Sequence, residues 1–196
     1  MQKAYIALGS NLGDRAYHLR RAIEEIERSA HFSLQAISPT FETVPIAALG
    51  DLFLNMVIVV STSLHAETAL VELLKIEKKL GRTRDYLAAP RTIDLDLLIC
   101  EDEVVNTSTC QVPHPRMTTR GFVLSPLVYL APDLIVPGQQ KKILALWREW
   151  ATNDGAGVQF YHKNDAPSSH CLIKNFEVDH FFQTTGDCAD QERRGK

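Results

Sequence analysis

The chain has 196 residues, 45% of them apolar and 23% charged, with a net charge of −3 and a sequence pI of about 6.2. That balance suits one ordinary globular core and excludes a protein that coats nucleic acid or an anionic membrane surface. No apolar run approaches the roughly 18 residues that span a bilayer, and the stretch before Gly9 is too short for a signal peptide, so a cytoplasmic protein is expected.

Residues 4–8 read as a short buried strand, and the turn Gly9-Ser10-Asn11-Leu12-Gly13-Asp14 leads from it into a helix that ends near Ser29. Ala16, Leu19, Ile23 and Ile26 make one apolar stripe on that helix, with Arg20, Arg21, Glu24 and Glu25 mostly elsewhere. Residues 32–41 look extended, with Pro39 marking an edge or an irregularity. A loop over 42–51 precedes a Val- and Ile-rich central strand at 53–60. A second helix is expected over 66–80, capped by Gly81. A loop at 82–90 leads to a strand at 92–99, and 101–106 read as a turn with a short extended segment. Residues 113–120 read as a loop or a single helical turn, 122–130 as a helix, 134–136 as a short strand and 143–150 as a last helix. The order β-α-β-β-α-β points to an α+β, ferredoxin-like fold, a mostly antiparallel sheet with helices on one face. After Trp150 the sequence turns polar and loses its periodicity, so 1–150 form the domain and 151–196 an appendage.

Cys100, Cys110, Cys171 and Cys188 form no close pair, as expected of free thiols in a reducing compartment. The tail residues His162, His170, Cys171, His180 and Cys188 fit no zinc spacing.

The most informative segment is Ile93-Asp94-Leu95-Asp96-Leu97. Alternation puts Asp94 and Asp96 on one face of a strand, about 7 Å apart, and turns the apolar residues toward the core. Two like charges so placed call for a cation, and Mg²⁺ accepts one or two carboxylates together with substrate phosphates; a solvated acidic face is the bland alternative. Between Leu80 and Lys141 every cation other than histidine is arginine: Arg82, Arg84, Arg91, Arg116 and Arg120. The guanidinium fork matches phosphate oxygens in pairs, so the combination points to a nucleotide polyphosphate site. Glu77 falls on the apolar stripe of the second helix, where it serves either a salt bridge or a ligand. Asn55, the polar residue inside the central strand, either tethers a neighbouring loop or meets a heterocycle edge. His114 lies between two prolines and could donate to a phosphate.

Together the segments YIALGSNLGDR (5–15), FETVP (41–45), FLN (53–55), LGRTR (80–84), APRTIDLDLL (89–98), VPHPRM (112–117) and RGFVLSPLVYLAPDL (120–134) resemble the 6-hydroxymethyl-7,8-dihydropterin pyrophosphokinase family. The resemblance covers about residues 4–150 and itself implies a ferredoxin-like fold. It implies pyrophosphoryl transfer from ATP to the pterin alcohol in folate synthesis, with two Mg²⁺ ions on Asp94 and Asp96. It makes Arg82 and Arg91 catalytic together with those aspartates. It places Glu77, Arg84, His114 and Arg120 around ATP, with Arg84 in a loop that closes over the site. It assigns pterin contacts to Thr43, Val44, Ile46 and Asn55, with Phe53 and Phe122 stacking on the ring. Ala88 and Ala89 stand where the family favours an aromatic and a glycine, and Phe53 where tyrosine is frequent. The expected partners are the two small substrates, with no nucleic acid and no membrane, and the expected state is a monomer.

Overall fold

The structure, a computed structural model, describes residues 1–45, 50–82, 89–101, 103–154 and 158–160. Its sheet runs, by position, β5 (Asp94–Cys100), β1 (Gln2–Ser10), β4 (Phe53–Thr62) and β3 (Phe41–Thr43). β2 (Phe32–Ile37) pairs along the far half of β4, and all of these pairings are antiparallel. With α1 (Arg15–Arg28) after β1 and α2 (Ala66–Lys79) after β4, this is the expected βαββαβ core. The extended stretch read as one piece is two strands. Ser38 interrupts it, its backbone N–H donating to Val57 O (2.9 Å) and its Oγ accepting from Val57 N–H (3.0 Å). Pro39 follows, where no ladder donor is available.

The helices do not all lie on one face. α1 and α2 cover one side of the sheet, over Ile6, Leu8, Leu54, Met56, Ile58, Leu95 and Leu97. α3 (Gly121–Leu130) and α4 (Ile143–Asp154) cover the other, over Tyr5, Val57, Val59, Leu98 and Ile99. The reason is visible in the strands: β1, β4 and β5 are apolar on both faces, and a sheet with two apolar faces needs cover on both. Leu98 and Ile99 both join the second layer because the β1–β5 register slips between Tyr5 and Ile6, so β5 carries one extra residue there.

Local signals explain the helix ends. Asp14 caps α1 by accepting from Tyr17 N–H (2.9 Å), and Gly13 supplies the positive φ (63°) of the turn. Gly81, at φ 80°, closes α2 as expected. At the other end of α2, His65 makes no side-chain cap; Glu103 does the work from far along the chain, its Oε2 accepting Ala66 N–H at 3.0 Å. Glu25 is buried between α1 and α2 rather than on an outer face, where Lys79, Arg28 and Arg21 neutralise it.

The segment 101–112 holds a small hairpin, β6 (Val105–Asn106) with β7 (Gln111–Val112), and 117–119 form the single helical turn. The short strand read at 134–136 is reduced to one bridge between Ile135 and Lys142. α4 continues four residues past Trp150, and β8 (Val158–Phe160) then joins the sheet beside β3. The boundary expected at 150 thus falls inside α4, and part of the following segment belongs to the sheet. Cys100 and Cys110 are buried free thiols; Cys171, Cys188 and the tail histidines lie outside the described residues. No described helix is long and apolar enough to cross a membrane.

Trp150 packs directly on Gly121, the first residue of α3, where any side chain would overlap the indole. Gly121→Ala is therefore expected to destabilise the fold by about 1–3 kcal/mol. Thermal unfolding should show a Tm loss of roughly 2–4 °C per kcal/mol, and an unchanged Tm would show that the indole is free to move.

Candidate active site

β5 carries the two aspartates to the edge of the layer shared by α3 and α4. Asp94 pairs with Gly9 and Asp96 with Ala7, while Leu95 and Leu97 enter the core on the α1/α2 side. The expected common face for the two acids is therefore present.

Asp94 sits between two guanidinium groups. Arg82 Nη1 lies 2.6 Å from its Oδ1, and Arg91 Nη1 donates to its Oδ2. Arg82 also pairs with Glu77, so an unbroken run Glu77–Arg82–Asp94–Arg91 joins the end of α2 to the start of β5. Arg82 Nε is buried and has no hydrogen-bond partner among the described residues.

Glu77 is 2% exposed, and its Oε1 also accepts Leu95 N–H at 2.6 Å. Burial pushes its carboxyl up, against the pull of the Leu95 N–H and Arg82. Of the two roles left open for this residue, its contacts here are structural: it anchors both the β5 backbone and Arg82.

Asp96 has its pKa raised to about 6, by burial first and by the charge of Asp94 second. Arg120, Arg82 and Arg91 offset only part of that. Arg120 enters from the N-terminus of α3, with its guanidinium carbon 5.4 Å from the centroid of the Phe122 ring. His114 is fixed by its own N–H donating to Leu98 O (2.8 Å), and its Nδ1 accepts from Arg116 N–H (3.2 Å). That bond leaves the proton on Nε2. Burial, then Arg120 and Arg116, lower its pKa to about 4, so the imidazole is a neutral donor at physiological pH.

The other wall is built on β4 and β3. Strand alternation sets Phe53 and Asn55 on the same face as Val57, which packs in the α3/α4 layer. Asn55 Nδ2 donates to Thr43 Oγ1 at 2.7 Å, and both residues are buried. The amide thus does tether the neighbouring strand. Val44 is exposed at the rim (56%). Phe122 is half-buried at the start of α3, which lies against β4 and β3. Ile46, Arg84 and Ala88 lie outside the described residues; Ala89 is buried.

Two residues in this region had no assigned role. Gly9 lies between Asp94 and Asn55 in the register, and a Cβ there would come 3.0 Å from Asn55 Oδ1 and 3.6 Å from Phe53 Cδ1. Asn11, 1% exposed, binds the backbone of Arg91. A glycine near a strand end and an asparagine in a turn both signal a turn in sequence, which reads as a tight turn beside a site without giving either residue a role of its own.

Residues 5–132 match the family model for 7,8-dihydro-6-hydroxymethylpterin-pyrophosphokinase (HPPK). The chain belongs to the HPPK family. It is 44% identical over 132 residues to the 2-amino-4-hydroxy-6-hydroxymethyldihydropteridine pyrophosphokinase of Bacillus subtilis (strain 168), covering 67% of this chain and 79% of that one. It is 36% identical over 145 residues to the pyrophosphokinase of the same name from Aquifex aeolicus (strain VF5), covering 73% and 89%. Among solved structures, the Plasmodium falciparum HPPK-DHPS crystal structure with SDX-DHP superposes with a TM-score of 0.63 at 13% identity. That match covers 77% of this chain but 44% of the longer one, and supports the fold alone.

At this candidate site Glu77 holds two different elements. Glu77→Ala would leave the buried Leu95 N–H unmet, a loss of about 1–3 kcal/mol, and would leave Arg82 with Asp94 as its carboxylate partner. A lowered Tm and a lowered kcat are expected together. Glu77→Gln keeps an oxygen for Leu95 but loses the charge on Arg82, so it should restore Tm more than kcat. Equal recovery of both in steady-state and unfolding assays would argue against the double role.

Proposed function

We propose that this ATP-dependent pyrophosphokinase of folate synthesis works between the acidic end of β5 and the Phe53–Asn55 end of β4. The hydroxymethyl oxygen of 6-hydroxymethyl-7,8-dihydropterin attacks the β-phosphorus of ATP in line. The bond from that phosphorus to the α-β bridging oxygen breaks, the hydroxyl proton passes to solvent, and AMP leaves with the bridging oxygen. The observation that carries the assignment is the Asp94–Asp96 pair, on one strand face and flanked by Arg82, Arg91 and Arg120.

The pair fits Mg²⁺, and two ions are proposed. Both donors are hard oxygens, and the raised pKa of Asp96 reflects burial first and then the like charge of Asp94, which a cation would relieve. Among the described residues no group of three or more His, Cys, Asp or Glu stands ready for a metal. The proposed ions would take the rest of their shells from triphosphate oxygens. Bound there, Mg²⁺ supplies charge neutralisation along the phosphate chain.

The chain's own residues do the rest by position. Arg82 and Arg91 already converge on Asp94, and the buried Nε–H of Arg82 suits an oxygen of the transferring group. Neutral His114 offers Nε2–H, and Arg120 its guanidinium, to the ATP phosphates. Glu77 supports the nucleotide side through Arg82, and Arg84 is assigned to ATP in this reading. Phe122 and Phe53 hold the pterin ring by stacking, Asn55 hydrogen-bonds it, and Thr43, Val44 and Ile46 are assigned backbone contacts to it. The enzyme is proposed to act as a cytoplasmic monomer.

Asp94→Ala and Asp96→Ala should each nearly abolish AMP formation from ATP and the pterin alcohol, with circular dichroism unchanged. Near-normal AMP release by both variants would end the metal assignment. The pH dependence has a definite sign. Asp96 takes up its proton as pH falls through about 6, whereas His114, at about 4, stays neutral there. The kcat/KM for ATP should therefore drop between pH 7 and pH 5, and a flat profile would remove Asp96 from the nucleotide site.

A further inference from the structure

The proposed reaction needs the Arg91 guanidinium held at Asp94, yet Arg91 precedes the first residue of β5 and draws no ladder hydrogen bond from that strand. Its backbone is held by Asn11 instead. Asn11 N–H donates to Arg91 O (3.1 Å), and Arg91 N–H donates to Asn11 Oδ1 (2.8 Å). These two bonds close a ring that fixes both φ and ψ of Arg91, and so the direction in which its side chain leaves.

The same asparagine touches a third segment. Its Nδ2 reaches toward Asp51 O at 3.5 Å, a long contact. Gly50, at φ 106°, packs so tightly that a Cβ on it would come 2.9 Å from Asn11 Nδ2 and 3.1 Å from Pro90 Cγ. Three stretches therefore meet at one buried side chain: the exit of β1, the entry to β4 and the entry to β5. Two residues before Asn11 is Gly9, against which Phe53 and Asn55 lie. The pterin wall and the phosphate arm are thus joined through Asn11.

We propose that Asn11 is a positioning residue that acts through Arg91 and couples the β4 wall of the site to the transfer step. This rests on the proposed function above, and the test separates the two. Purified wild-type protein is assayed for AMP release with ATP, Mg²⁺ and 6-hydroxymethyl-7,8-dihydropterin, beside Asn11→Ala, Asn11→Asp, Arg91→Ala and the Asn11→Ala/Arg91→Ala double variant. No AMP from the wild type overturns the functional reading itself. With an active wild type, Asn11→Ala should lower kcat at least tenfold while the KM for ATP changes less than threefold. In the Arg91→Ala background the same change should have less than a twofold further effect, because residues acting as one unit are not additive. Asn11→Asp keeps the acceptor for Arg91 N–H and should recover part of the lost kcat. Full additivity with Arg91→Ala, an unchanged kcat in Asn11→Ala, or an Asp variant no better than Ala would each overturn the proposal. So would loss of folding in both single variants, which would make Asn11 a structural residue only.

Discussion

The pairing of β5 with β1 in one register is the constraint on which the rest of this site depends. It sets Asp94 opposite Gly9 and Asp96 opposite Ala7. A slip of one residue would send both carboxylates into the α1/α2 layer among Leu8 and Ile6, and turn Leu95 and Leu97 outward. The apolar residues that flank the aspartates therefore aim them: burying Ile93, Leu95 and Leu97 leaves the acids one direction to face.

Charge is then distributed around that pair. Asp94 is met by two arginines, while the charge of Asp96 is opposed by burial and by Asp94 itself. Arg120 in turn has its pKa lowered, by burial first and then by Arg116, with Asp96 and Asp94 acting in its favour. Such mutual perturbation among neighbouring charged groups is what the proposed nucleotide site would require. Because guanidinium and carboxylate groups are desolvated together here, each depends on its neighbours, and removing one exposes the desolvation penalty of the others.

The proposed pterin side is governed by space more than by charge. Gly9 lets Asn55 and Phe53 approach β1, and Thr43 holds the Asn55 amide. Asn55 thereby serves as a tether whatever else its amide contacts. The assignment of the remaining amide oxygen to a ligand belongs to the proposed reading, as does the stacking of Phe122.

Strand and helix periodicity and the alternation around Asp94 and Asp96 were enough to read the βαββαβ order and the shared face of the acids, and the run of arginines after Leu80 suggested the anion-binding role now proposed. These are properties of short segments, and alternation or helical spacing carries them without reference to distant residues. What the sequence could not disclose depends on partners far apart along the chain. Glu77 reaching Leu95, Glu103 capping α2, Glu25 buried by Lys79, and Asn11 bracketing Arg91 are all of this kind. So is the division of the helices between two faces, which followed from apolar residues on both sides of β1, β4 and β5. The local sequence determines which side chains can share a face; only the folded chain decides which buried polar group satisfies which, because that pairing is settled by desolvation at contact and not by spacing.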